Sequence, residues 1–363
     1  MELLMSNFSP LDTPHQTFSD RWAELFQSSN KVNIAVGYAS NESILYLKRI
    51  VELNAPKEVN LCLGMARFDG LFQSQFEAAG DLNNYLNEQG LGQVFVCQQF
   101  AFHGKLQVFQ RDNKQVAGIL GSSNLTNIVP PVGITRGNYE MDVLIEDETS
   151  LGELRIFIDK LFREACVPFV QAAGSLKIRS DPNRLMESRF DVAIIDPSTK
   201  ENIWHSKTRD VFEIPIKTTE KSNLNVFFGE GRRNAQGFVK PRHWYEVEII
   251  VGLDTQRSGM NYPANAEFIA YSDDGYRFVL KTSGDYGKNL RSRDDLTLLG
   301  RWIKGRMENA GSLVSGQLVD DAVLDNYGRH SISLTRTAET ETDDSSGEEL
   351  DVWTIDFSRP SAN

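Results

Sequence analysis

His103 and Lys105 stand two residues apart, so on an extended strand their side chains point to the same side. Residues 121–126 read Gly-Ser-Ser-Asn-Leu-Thr, and residues 138–140 read Asn-Tyr-Glu. An imidazole, an ammonium and an amide brought to one place are the groups needed to attack a phosphorus atom and hold its oxygens. A neutral imidazole can form a covalent bond to phosphorus. Lys105 can pair with the phosphate charge, and Asn124 can donate a hydrogen bond to a further phosphoryl oxygen. Glu140 can accept from the far ring nitrogen of His103 and fix its tautomer. Ser122 and Asn138 are supporting positions. The chain has only five histidines, which gives weight to the one placed beside a lysine at the head of a strand.

The elements that would position these groups follow from local patterning. Leu106 and Val108 alternate with polar residues, a turn falls at 111–113, and Val116, Gly118 and Leu120 form a second strand. This hairpin leads from His103 to the 121–126 loop. Around it, strands are expected at 31–40, 59–65, 92–98 and 140–145. Helices are expected at 41–53, with Asn41 or Ser43 near the cap, at 71–89 with a break near Gly80, and at 151–165. The alternation predicts a sheet flanked by helices. After residue 169 the texture changes to short strands at 191–195, 210–216, 244–251, 267–271, 277–281, 331–334 and 352–357, with one helix at 296–309. Asp273-Asp274-Gly275 is a hairpin turn, and this half reads as a mainly-β barrel or sandwich. The domains expected are residues 1–173, a linker region 174–209, and residues 210–363 ending in an acidic segment. No internal repeat is present, and there is no second His-x-Lys.

Composition narrows the function classes. No apolar run approaches the ~20 residues of a membrane helix, and residues 1–5 lack a basic secretory leader, so a cytoplasmic protein is expected. The three cysteines, Cys62, Cys97 and Cys166, read as buried, reduced thiols. No Cys or His pair has zinc-ligand spacing, and no P-loop is present, so any use of ATP must come through a partner. Asp112-Asn113-Lys114 could suggest a magnesium nuclease, but it falls in the hairpin turn. The net charge is −12, unevenly spread. Residues 339–356 contain acids and no Lys or Arg, which reads as a solvated acidic run, whereas residues 217–306 carry 15 bases and 11 acids. Two Gly-containing loops concentrate the bases. One offers Arg232, Arg233, Lys240 and Arg242; the other offers Lys288, Asn289, Arg291 and Arg293. Arginine can read guanine and asparagine adenine, and the remaining bases can hold phosphates.

His-x-Lys, Gly-Ser-x-Asn and Asn-x-Glu in this order and spacing resemble the phospholipase D superfamily in its nuclease members. Many members carry an Asp five residues after the lysine; here that position is Gln110. The resemblance implies metal-independent chemistry with no cofactor for cleavage. One histidine attacks to give a phosphohistidine and a second serves as acid. With one motif per chain, it implies a homodimer that joins two copies of the site. Because the second histidine must be protonated, activity should fall at high pH. The pairing with the second half, including Phe-Val-Lys-Pro-Arg-His-Trp-Tyr-Glu-Val-Glu-Ile at 238–249, resembles the NgoFVII/NgoAVII type of restriction endonuclease, and is similar to BfiI. That family implies an α/β phospholipase D-like N-terminal domain and a B3-like pseudobarrel that grips double-stranded DNA. Residues 222–236 resemble its first arm and 283–293 its second. The implied function is a type II-like, sequence-specific DNA endonuclease of a restriction-modification system, some relatives of which work with a helicase-like ATPase subunit. A phosphodiesterase on lipid and a non-catalytic DNA-binding regulator are the alternatives.

Overall fold

The computed structural model describes residues 2–112, 114–130, 138–181, 186 and 192–359. Asn113, Pro182, Asn183 and Asp191, which belong to the expected hairpin turn, the expected linker region and the expected 191–195 strand, lie outside the described residues. The chain divides into two units: the first comprises residues 1–130, 137–181 and 230–241, the second residues 131–136, 182–229 and 242–363.

The strands of the first unit are β1 (Glu2–Met5), β2 (Lys31–Val36), β3 (Glu58–Leu63), β4 (Leu71–Phe72), β5 (Gly92–Cys97), β6 (Lys105–Arg111), β7 (Lys114–Gly121), β8 (Met141–Ile145), β9 (Cys166–Pro168) and β10 (Ile178–Arg179). Its helices are α1 (Phe18–Ser28), α2 (Asn41–Asn54), α3 (Ala66–Asp69), α4 (Gln73–Glu88), α5 (Glu148–Lys160) and α6 (Phe169–Ala172). Eight strands form one sheet in the order β1-β8-β7-β6-β2-β3-β5-β9, and β4 pairs with β10 apart from it. The β2–β3 and β3–β5 pairs are parallel, and β6 returns antiparallel to β2. This puts the ends of β2, β3 and β7 and the starts of β6 and β8 along one edge of the sheet, the edge where open α/β sheets place their sites.

Both faces of the sheet are covered. On one, α1 presents Trp22 and Phe26, stacked at 5.0 Å, with Phe109 of β6 meeting Trp22 edge-on, while the Trp22 indole N–H donates to the Gln107 side-chain oxygen. On the other, Ala35, Leu106, Val108, Ile158 and Leu161 pack around Cys62, Cys97 and Phe102. The three cysteines, remote in sequence, meet here. Cys97 opposes Cys166 across β5 and β9, and the Cys62 and Cys166 sulfurs are 3.5 Å apart as free thiols. Cys166 is only half-buried, because β9 is the edge strand.

Several helix ends differ from expectation. The hydroxyl that caps α2 is Ser40, which accepts from the Ser43 N–H on an extended backbone, one residue before Asn41. The helix α4 runs unbroken through Gly80. Glycine inside a helix costs about 1 kcal/mol against alanine, and packing of Ala78, Ala79, Leu82 and Leu86 into the core outweighs that. The expected 151–165 helix starts at Glu148, because Asp147 caps it through the Ser150 N–H, and its last turn, Leu161–Ala165, widens into a π-turn.

The second unit is built on a mixed sheet. Its strands run in the order Lys207–Pro215, Ser331–Thr342, Glu349–Asp356, Glu267–Ser272, Tyr276–Ser283, Asn289–Ser292 and Ile249–Ile250, with Ala193–Ile194 added on Tyr276–Ser283. Gly275, at φ +93°, closes the expected Asp273-Asp274-Gly275 turn. The helix Leu298–Asn309 buries Trp302, Lys304 and Met307. The acidic stretch is solvated only in part: it lies within the two strands Ser331–Thr342 and Glu349–Asp356 and the turn between them, with Glu339, Asp344, Glu348 and Glu349 exposed. Others of its carboxylates have cationic partners, Glu341 with Arg277 at 2.6 Å, Asp343 with Arg293 at 2.8 Å and Asp351 with Arg336 at 3.1 Å. Among the described residues no helix is long and apolar enough to cross a membrane.

Candidate active site

His103 sits in the loop between β5 and β6, just before the start of β6. That loop is fastened from two sides. The N–H groups of Gln98 and Gln99 both donate to the Ala165 carbonyl, at 2.8 and 3.4 Å, and the Phe102 N–H donates to the Gly64 carbonyl at 3.3 Å. A side chain at Gly64 is impossible without rearrangement, since a Cβ there would lie 2.0 Å from the Phe102 carbonyl oxygen. The imidazole itself rests on Gly37, where a Cβ would stand 3.1 Å from its Cδ2. The two glycines thus let the ends of β2 and β3 close around the His103 loop.

Lys105 opens β6 opposite Val36 of β2. Its ammonium donates to the His103 carbonyl at 2.7 Å and lies 3.2 and 3.3 Å from the two ring nitrogens. Burial lowers its pKa, and the negative charge of Glu140 acts in the opposite direction. Asn124 follows β7, and its side-chain oxygen accepts the Tyr38 N–H at 3.1 Å. Imidazole, ammonium and amide therefore gather at the one sheet edge.

The other motif residues act on the frame. The Ser122 hydroxyl accepts the Met141 N–H at 3.0 Å and donates to the Met141 carbonyl at 3.3 Å. It thereby ties the end of β7 to the start of β8. Glu140 precedes β8, its backbone bonded to Ser6 on both sides. Within one chain its carboxylate makes no hydrogen bond to His103 among the described residues. Asn138 is exposed, and Gln110 is buried within β6.

Two contributors were not anticipated. Asp142, buried in β8, accepts the Ser123 N–H at 3.0 Å and the Ser123 hydroxyl at 2.6 Å, which fixes the turn that carries Asn124. Burial raises its carboxyl pKa, and the Ser123 hydrogen bonds oppose the rise. A lone carboxylate inside the apolar run Met-Asp-Val-Leu-Ile was the available signal, since a buried acid needs partners. Tyr38 is the other, with its ring against His103 at 5.4 Å between centroids; nothing in its local sequence marks it.

The basic residues of the two loops divide between the units. Arg232 and Arg233 form a short hairpin with Val239–Lys240, within the segment 230–241 of the first unit. Phe238 meets Phe26 edge-on, Val239 exchanges backbone bonds with the Asn54 side chain at 2.9 and 3.1 Å, and Lys240 pairs with Asp20 at 2.8 Å. In the second unit, Arg242 is held by Glu246 at 2.9 Å and Glu248 at 2.8 Å. Arg293 is tied to Asp343, Asp294 and Glu267. Lys288 pairs with Asp285 at 3.1 Å, while Asn289 and Arg291 lie on a strand opposite Ser283 and Lys281. Between these strands, residues 284–287 form a tight turn whose tip, Tyr286, is 75% exposed at φ +59°.

Comparison with known proteins assigns both halves. NucT from Helicobacter pylori is 16% identical over 46% of this chain and 97% of its own, with a TM-score of 0.30, a likeness too slight to bear on fold or function. No curated protein matches the chain. Residues 16–171 match the NgoFVII restriction endonuclease N-terminal PLD domain, and residues 202–338 match the NgoFVII C-terminal B3-like DNA-binding domain. With His103, Lys105, Asn124 and Glu140 inside the first match and a DNA-binding domain as the second, the chain belongs to the NgoFVII restriction endonuclease family.

Proposed function

We propose that this protein is a sequence-specific, type II-like endonuclease on double-stranded DNA, acting in a restriction-modification system through a phosphohistidine and without a metal ion. The observation that carries this reading is the convergence of His103, Lys105 and Asn124 on one sheet edge of a domain matched to a restriction nuclease. In the first step a His103 nitrogen bonds to phosphorus and the bond to the leaving oxygen breaks. That oxygen takes a proton from the partner subunit's His103. In the second step water attacks phosphorus, gives its proton to the same partner imidazole, and the P–N bond breaks to restore His103. Lys105 and Asn124 hold the phosphoryl oxygens throughout.

One chain supplies one such imidazole, so the site is completed by a homodimer. The position of Glu140 supports this. Among the described residues its carboxylate makes no hydrogen bond to the imidazole of its own chain, and in the dimer it orients the partner subunit's ring. Arg232, Arg233, Lys240, Arg242, Lys288, Asn289, Arg291 and Arg293 are the proposed DNA contacts. ATP would enter only through a helicase-like ATPase subunit, in a cytoplasmic complex.

The test is incubation of plasmid DNA with the wild type and with His103→Ala, both in EDTA. Discrete fragments from the wild type alone are expected. Cleavage that requires magnesium would sink the phosphohistidine mechanism, and equal cleavage by His103→Ala would sink the assignment of the nucleophile.

A further inference from the structure

One side chain at the site has no task in this chemistry. Tyr38 follows Gly37 past the end of β2, and its ring is 43% exposed. It makes three contacts of different kinds. The ring meets the His103 imidazole edge-on, with planes at 76°. The backbone N–H engages the Asn124 side-chain oxygen. The hydroxyl donates to Asp69 Oδ2 at 2.6 Å.

The imidazole needs such a neighbour. His103 is exposed, and the Lys105 ammonium lies almost equally far from both ring nitrogens, so Lys105 does not select which nitrogen faces phosphorus. Gly37 and Tyr38 both lie against the ring and restrict its rotation. An exposed tyrosine would itself swing among rotamers, and ordering it costs entropy. A hydrogen bond to a carboxylate, roughly twice as strong as a neutral one, offsets that cost. Asp69 is well placed to supply it. It ends α3, and the next residue, Gly70, turns at φ +76° so close to the Lys177 carbonyl that a Cβ would lie 2.3 Å from it. The carboxylate thus sits on a constrained corner. Its hydrogen bond also raises the phenol pKa, which keeps Tyr38 a donor.

We propose that Tyr38, anchored by Asp69, is a positioning residue that holds the His103 ring and the Asn124 amide in one fixed relation. It therefore sets the rate of attack on phosphorus without contacting the substrate. This rests on the reading of His103 as the nucleophile.

The experiment uses the full chain with Tyr38→Phe, Tyr38→Leu, Asp69→Asn and the Phe/Asn double variant. Turnover is read on plasmid DNA and on methyl p-nitrophenyl phosphate, and the His103 ring protons, assigned by their loss in His103→Ala, are followed by NMR. Each variant should lower kcat about tenfold while KM stays within about twofold. The double variant should be no worse than Tyr38→Phe alone, since Asp69→Asn only weakens, to a neutral acceptor, the bond that Tyr38→Phe removes. The ring-current shift that Tyr38 imposes on His103 should shrink in Asp69→Asn, where the phenyl ring is still present. A rise in KM at unchanged kcat would overturn the proposal in favour of a base-stacking contact. An unmoved His103 resonance in Asp69→Asn would overturn it outright. If the wild type turns over no faster than His103→Ala, the nucleophile reading fails, and the NMR shift still decides whether Tyr38 orders the ring.

Discussion

The Tyr38 backbone N–H donates to the Asn124 side-chain oxygen at 3.1 Å, joining positions 86 residues apart. With its oxygen engaged, the amide has only its NH2 group to offer a phosphoryl oxygen. Asn124→Asp keeps the acceptor for Tyr38 but sets a negative charge against an anion. Diester cleavage should fall by about 100-fold or more. The urea unfolding midpoint should stay close to that of the wild type, which separates lost catalysis from lost fold.

Gly37 and Gly64 flank the same loop yet predict different phenotypes. A Cβ at position 37 meets the imidazole carbon His103 Cδ2 at 3.1 Å and the His103 Cα at 3.3 Å; a Cβ at position 64 meets a backbone oxygen at 2.0 Å. Gly37→Ala should fold and lose roughly tenfold or more in turnover, because the imidazole is displaced. Gly64→Ala should be destabilised by several kcal/mol, since the Phe102 N–H also bonds to the Gly64 carbonyl. Thermal melts and turnover rates on both variants check the contrast.

Lys304 gives the second unit a distinctive pH response. Its ammonium donates to the Trp244 carbonyl at 2.6 Å and lies 3.7 Å from the centre of the Trp244 ring. Full burial pushes its pKa down to about 7 from 10.5, while Glu308 nearby opposes the shift. Between those values the unfolded chain binds the extra proton, so this group makes the fold more stable as pH rises, by at most about 1.4 kcal/mol per pH unit. Below about 7 both states are protonated and the penalty is complete. Lys304→Met should be the more stable protein at neutral pH, and its advantage should narrow as pH rises through the window. Denaturant titrations of both proteins across that range are the measurement.

Tyr286 pays for its exposure in backbone strain. A bulky residue at φ +59° lies in the left-handed region, which costs about 1–2 kcal/mol for an L-residue. Tyr286→Gly relieves this and removes few contacts, so it should stabilise the chain by up to about 1 kcal/mol, net of the greater freedom of unfolded glycine. Because the turn leads directly into Lys288 and Asn289, two of the proposed DNA contacts, the same variant should bind DNA more weakly. Calorimetry and a binding titration read the two effects separately.

The parts of the site carried by one strand or one turn were legible in the sequence. The two-residue spacing marks Lys105 as the neighbour of His103, although His103 stands in the loop before β6 rather than on the strand, and the small polar loop ending β7 locates Asn124. What was hidden depends on tertiary approach. Tyr38 reaches His103 only because β6 returns beside β2, and Cys62, Cys97 and Cys166 meet only because β9 closes on β5. The acidic stretch misled in part for a related reason. Glu341, Asp343 and Asp351 find Arg277, Arg293 and Arg336 through tertiary approach, and counting charge along the sequence does not show those pairings. Gly80 shows packing overriding residue preference inside a helix, and Ser40 shows backbone geometry choosing among neighbouring residues that could each serve as the cap.

Lys240, Arg242 and Arg293 already hold carboxylates of their own chain. A phosphate could take over such a residue only by displacing that carboxylate, so the contact carries the cost of breaking an internal pair. Each of the three would therefore add less to DNA affinity than an unpaired cation does. Every phosphate so neutralised would still release the counterion condensed on the DNA, so the salt dependence would keep its roughly 0.9 logarithmic units per contact while the affinity itself is lower.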